Sequence, residues 1–167
     1  MHVEACAGAR KMLADAGLNP AGEWDSLDLG GADINGTARS LLPYARWTGL
    51  DIAPGPGVDI VTDATTWEPD RSFDVVVCTE LLEHVPQWGQ CIATAWKALS
   101  EGGTLILTCA STGRRPHGAR GDMDPAPGEW YGNVPIDELR AVIACLFRGY
   151  EVMFNPDPGD CYAWARK

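Results

Sequence analysis

The run Asp28-Leu29-Gly30-Gly31-Ala32-Asp33-Ile34-Asn35-Gly36 sets two carboxylates around a glycine-bearing turn. Glycines let main-chain amides approach a ligand closely. Carboxylates at that distance repel phosphate, whereas a ligand bearing an ammonium and a sulfonium is attracted. A pyrophosphate-binding turn would also need glycine at positions 32 and 35, where Ala32 and Asn35 stand. Asp51, followed by Ile52, comes 23 residues after Asp28, and its carboxylate can accept both hydrogen bonds of a ribose diol. Asp63 can accept from an adenine amino group, with Ala64 leaving room for the ring. His84 and His117 are the side chains able to take a proton from a reacting hydroxyl. His117, Asp122 and Asp124 are metal-ligating types, but their spacing fits no recognised site, so no metal is expected. Arg114, Arg115 and Arg120 form the one basic cluster and point to an anionic or phosphorylated small substrate.

These residues need elements that bring them to one edge. Val3, Cys6, Ala7, Leu13 and Ala14 recur at helical spacing, and Gly17 and Pro20 stop that helix. Ser26 to Leu29 reads as a strand entering the Gly30-Gly31 turn, followed by a short helix over about Thr37 to Leu42. Trp47 to Ile52 and Val58 to Thr62 are the next strands. The intervening Ala53-Pro54-Gly55-Pro56-Gly57 is too short for the crossover helix that parallel neighbours usually need. Phe73 to Cys78 is nearly all apolar, as in a central strand covered on both faces. A helix through Ile92, Ala95, Trp96 and Leu99 follows, ended by Gly102-Gly103, and Thr104 to Thr108 is a fifth strand. Residues 110–133 lack periodicity, which marks a functional loop expected to meet the substrate. Ile136, Leu139, Val142, Ile143, Leu146 and Phe147 stripe a last helix, and Tyr150–Phe154 with Cys161–Ala165 forms a closing hairpin. Strands alternating with helices imply a doubly wound α/β sheet, which binds ligands outside the carboxyl ends of its strands.

The 167 residues suit a single domain, and the net charge of -10 opposes a nucleic-acid backbone as substrate. Six cysteines are scattered singly among apolar neighbours, with no zinc or dithiol spacing, which suggests buried thiols in a reducing, cytoplasmic compartment. Met1 to Arg10 contains Glu4 and no long apolar run, so neither a signal peptide nor a membrane span is expected.

Four blocks, in order, resemble the class I S-adenosylmethionine-dependent methyltransferases of small-molecule type. They are Leu27 to Gly36; Gly49 to Asp51 with Asp63-Ala64; Ser72 to Val85, which contains SFDVV and LLEHV; and Leu99 to Leu105, an L-x-x-G-G-x-L step. The resemblance covers most of residues 26–108. It implies a three-layer Rossmann-like sandwich with a mostly parallel seven-stranded sheet whose last strand is reversed. It implies S-adenosylmethionine as cofactor, with Asp28, Gly30, Gly31, Asp33 and Asn35 around the methionine end, Asp51 and Ile52 at the ribose, Asp63 and Ala64 at the adenine, and Thr79 and Glu80 near the sulfur. The family's first motif has alternating glycines where Ala32 and Ile34 stand here, and Pro54 to Gly57 replace its second crossover helix. The edge beside the adenine then stands open, or is covered by a second copy in a homodimer. The activity implied is methyl transfer to an oxygen or nitrogen of a small molecule. Two alternatives remain: a cofactor-binding but inactive scaffold or regulatory module, and a nicotinamide-dependent oxidoreductase.

Overall fold

A computed structural model describes residues 2–120 and 124–167. Asp122, weighed above as a metal ligand, lies outside the described residues. The chain forms α1 (Val3–Asp15), β1 (Asp25–Leu29), β2 (Arg46–Asp51), β3 (Ile60–Val61), β4 (Phe73–Thr79), α2 (Trp88–Ala98), β5 (Leu99–Ala110), α3 (Ile136–Leu146), β6 (Gly149–Asn155) and β7 (Asp160–Arg166). Short 3-10 turns occupy Ala38–Leu41 and Leu82–His84. The seven strands make one sheet in the order β3-β2-β1-β4-β5-β7-β6. All neighbours are parallel except β7, which runs against both β5 and β6. This is the α/β architecture that the alternation of strands and helices implies, with the reversed last strand that the family resemblance implies.

Alternation along the central strands builds the layers. Val76 and Cys78 of β4 and Leu105 and Leu107 of β5 face a core shared with Ile92 and Ala95 of α2 and Leu139 and Ile143 of α3. Val75, Val77 and Ile106 point the other way, onto Ala9, Met12 and Leu13 of α1. Each side chain of a centrally placed parallel strand thus finds an apolar partner whichever face it points to, which explains why these strands read as continuous apolar runs. No helix among the described residues is long and apolar enough to cross a membrane.

Two boundaries differ from the sequence reading. α2 ends at Ala98, and Leu99 already pairs with Phe73, so the Gly102-Gly103 step lies inside an irregular start of β5 instead of ending the helix. The third strand shrinks from the expected Val58–Thr62 to Ile60–Val61. Its first residues are needed as connection: Asp59 Oδ2 accepts from the Gly49 amide at 2.8 Å, and the Asp59 amide donates to the Gly49 carbonyl at 2.8 Å. That lengthens the link enough to run back along β2 without a helix. At this outer edge Ile52 and Val61 are 73% and 55% exposed.

The link also packs tightly on β2. A Cβ at Gly49 would lie 1.8 Å from the carbonyl oxygen of Gly57. Replacing Gly49 by alanine is therefore expected to cost about 2–4 kcal/mol of folding stability through forced backbone displacement. Urea denaturation checks this, and a loss below about 0.5 kcal/mol would mean that the link moves aside freely.

Candidate active site at the carboxyl edge of the sheet

β1 delivers Asp28 to the middle of the sheet, paired with Gly49 on one side and Val77 on the other. The side chain is buried, and its Oδ1 has no hydrogen-bond partner. Burial pushes its carboxyl up to about 7; the neighbouring Arg39 guanidinium opposes the shift, while Asp51 and Asp33 add to it. The turn that follows is held by the Gly30 and Gly31 amides, both donating to the Leu50 carbonyl at 2.9 Å. Gly30 adopts φ +79, which favours glycine, and a Cβ there would also crowd the Leu81 side chain at 3.2 Å.

Asp51 closes β2 beside that turn. Its two carboxylate oxygens accept from the Ala32 amide at 3.3 Å and the Ala53 amide at 3.1 Å, which fixes the side chain between the β1 and β2 tips. Asp28 and Asp51 therefore stand on adjacent strands, at one edge of the sheet. Asp33 accepts from the Gly36 amide at 3.1 Å and donates its own amide to Pro56 at 2.8 Å, so the glycine turn and the helix-less link brace each other. Asn35 and Ile52 are exposed on the same rim. Asp63 follows β3 and is engaged locally, its Oδ1 accepting from the Thr65 amide and hydroxyl at 2.8 and 2.7 Å, with Ala64 buried beside it.

Thr79 ends β4, and Glu80 follows with φ 55, a left-handed conformation rare outside glycine and found mostly where a site imposes it. The Glu80 amide donates to the Thr108 carbonyl at 3.0 Å, and the Thr108 hydroxyl donates to Glu80 Oε1 at 3.1 Å. Oε2 lies 3.0 Å from His2 Nε2, which is also 3.3 Å from Asp160. Arg114 completes the group through a 2.9 Å ion pair with Asp160. Burial works to raise the Glu80 carboxyl, yet His2, Arg114 and the Thr108 hydroxyl outweigh it and hold it below the ordinary carboxylate range.

His2, Thr108, Asp160 and Glu83 were not singled out by the sequence reading. Asp160 had a usable signal: it opens the reversed strand, and the amino end of a reversed strand shares an edge with the carboxyl ends of its neighbours. His2 had none, because its place depends on how α1 docks. The arginine cluster is also less free than its composition suggests, since Arg114 faces Asp160 and exposed Arg115 pairs with exposed Asp124 at 3.1 Å.

Beyond Glu80 lies a second group. His84, at the end of its 3-10 turn, packs edge-on against His117 and Tyr131 from the loop, with ring centroids 5.2 and 5.7 Å away. Burial, then the adjacent His117, lowers the His84 imidazole to about 4. The structure thus brings the two histidines together, 33 residues apart in sequence, while Asp124 pairs with Arg115. The loop is pinned from below by the Gly132 amide donating to the Glu83 carbonyl at 2.8 Å and the Ser111 hydroxyl donating to the Val134 carbonyl at 2.7 Å.

Known proteins share this fold. Ubiquinone biosynthesis O-methyltransferase of Pseudomonas putida is 28% identical over 103 residues, covering 60% of this chain and 44% of that protein. The chain thus spans less than half the length of the curated relatives of this kind. Among solved structures, DhpI in complex with SAH superposes with a TM-score of 0.68 at 23% identity, over 98% of this chain and 84% of that one. An S-adenosylmethionine-dependent methyltransferase from Mesorhizobium loti gives 0.66 at 18% identity, over 97% and 100%. These likenesses establish the fold. The family described as "Methyltransferase domain" matches residues 9–143, a span that begins in α1, takes in the Asp28, Asp51 and Glu80 tips, and ends in α3. With that family's model matching most of its length, the chain belongs to the methyltransferase domain family.

Proposed function

We propose that this chain transfers a methyl group from S-adenosylmethionine to an oxygen or nitrogen of a small molecule. The observation that carries the reading is the buried, unpartnered oxygen of Asp28 beneath the Gly30-Gly31 turn, one strand from Asp51. An anion cannot be accommodated there, whereas an ammonium supplies both the missing hydrogen bond and the missing charge. The residues present therefore fit the cofactor: Asp28, Gly30, Gly31, Asp33 and Asn35 would hold its methionine end, Asp51 and Ile52 its ribose, and Asp63 and Ala64 its adenine. Thr79 and Glu80 would flank the sulfur. When bound, the cofactor supplies an electrophilic methyl on a sulfonium.

What the protein's own groups add is position and exclusion of water. Transfer from an activated sulfonium depends chiefly on in-line approach. Glu80, held by Thr108 and His2, supplies a fixed negative charge at the tip of β4. His84, His117 and Tyr131 form the wall on which an acceptor would rest. Because Asp160 already neutralises Arg114, an acceptor without formal charge suits this wall better than an anionic one. Free thiols buried at Cys78, Cys91, Cys109 and Cys161 favour a reducing compartment, the cytoplasm.

Incubation with methyl-labelled S-adenosylmethionine and fractionated metabolite pools tests the reading. Label appearing in a small-molecule fraction, with release of S-adenosylhomocysteine, is the expected result. Tight cofactor binding with no labelled product from any pool would favour the inactive module instead. In a parallel melting assay, S-adenosylhomocysteine should stabilise the protein and NAD should not; the reverse would favour the oxidoreductase.

A further inference from the structure

We infer that Glu83, His84 and His117 form a binding site for one divalent transition-metal ion. Each offers a ligand atom, and the three atoms lie within 4.8 Å of one another. Two imidazoles and one carboxylate suit Zn²⁺, Co²⁺, Mn²⁺ or Fe²⁺, whereas Mg²⁺ prefers an all-oxygen set. Metal bonds of about 2.0–2.2 Å place neighbouring ligand atoms roughly 3–4 Å apart, so closure requires only a small side-chain adjustment.

Three observations favour an ion over a hydrogen-bonded cluster. Glu83 is fully buried; its Oε1 accepts from the Ala110 amide at 3.2 Å, but its Oε2 has no partner. His84 Nδ1 is likewise buried and unpartnered, leaving two unmatched polar atoms in one small volume. His117 Nε2 stands 3.9 Å from Glu83 Oε1, too far for a hydrogen bond and the separation expected of two ligands on one ion.

The groups that hold these side chains point the same way. His117 Nδ1 lies 3.2 Å from the Arg115 carbonyl, an acceptor only, so Nδ1 donates there and, in the neutral ring, Nε2 is the nitrogen left free to bind an ion beside Glu83. The Tyr131 hydroxyl, 2.8 Å from Asn133 Oδ1, is engaged elsewhere, while its ring packs 5.0 Å from that of His117 and holds it in place. His84 and His117 rings meet at 83°, which suits adjacent positions on one ion. Three protein ligands leave a coordination position for an added molecule, as in catalytic sites and unlike closed structural ones. A hydroxyl-bearing molecule would complete it. No sequence spacing announces this set, because its third ligand comes from the irregular loop.

The site stands or falls independently of methyl transfer. Metal-free full-length protein titrated with Co²⁺ should show one ion per chain with visible absorption of four- or five-coordinate Co²⁺, displaced by Zn²⁺ and not by equimolar Mg²⁺. His117→Ala and His84→Ala, prepared separately, should each weaken Co²⁺ binding at least tenfold, while His2→Ala should not. Melting of each metal-free variant and its response to S-adenosylhomocysteine distinguish loss of the site from loss of the fold or of the cofactor reading. Absence of the band at millimolar Co²⁺ in the unaltered protein, or an undiminished band in either histidine variant, overturns the proposal.

Discussion

Replacing Asp51 by alanine should weaken binding of S-adenosylhomocysteine by about a hundredfold or more, the loss expected when a carboxylate accepting two hydroxyl hydrogen bonds is removed. The side chain has little freedom to be replaced by a neighbour, because the Ala32 and Ala53 amides fix it between two strand tips. Loss of those two bonds should also lower the melting temperature by a few degrees. Calorimetric titration of native and altered protein separates the two effects. A change of less than about threefold in affinity, with the fold intact, would remove Asp51 from the ribose site.

The second large effect concerns pH. In the ligand-free protein the Asp28 carboxyl titrates near 7, principally because it is buried, with Asp51 and Asp33 nearby and Arg39 opposing. An ammonium binds only the ionised form. Affinity for S-adenosylhomocysteine should therefore rise by up to about tenfold per pH unit as pH climbs toward 7, and level off above it. Stability has the opposite sign. The folded carboxyl holds its proton between its ordinary value of 3.8 and about 7, where the unfolded chain has released it. The stabilising contribution is thus complete below 3.8 and is lost as pH rises through 7. Asp28→Asn should flatten both dependences at this step and bind the cofactor weakly at every pH. Titrations at several pH values on both proteins check this; an unaltered pH profile in Asp28→Asn would assign the dependence to another group.

The reach of the sequence follows from what each feature depends on. β4 was legible because burial on both faces makes Phe73 to Cys78 apolar except for Asp74 near its start, and the closing hairpin because two largely apolar runs flank a turn-rich segment. The shared edge of Asp28, Asp51 and Glu80 was legible because each stands at or next to the carboxyl end of a strand in the parallel part of the sheet. β3 was overestimated, since Val58 and Asp59 have strand-like neighbours but are drawn into the link by Gly49. The remaining groups depend on long-range docking: His2 reaches Glu80 only because α1 packs across β5 and β7. Glu83 looks like part of an ordinary turn until the loop carrying His117 folds over it.

A crystal structure with S-adenosylhomocysteine bound tests the central claim most directly. The account predicts ribose hydroxyls about 3 Å from the Asp51 carboxylate and the methionine ammonium on Asp28, with the sulfur beside Glu80. An adenosyl group seated elsewhere, with Asp28 and Asp51 untouched, would contradict it.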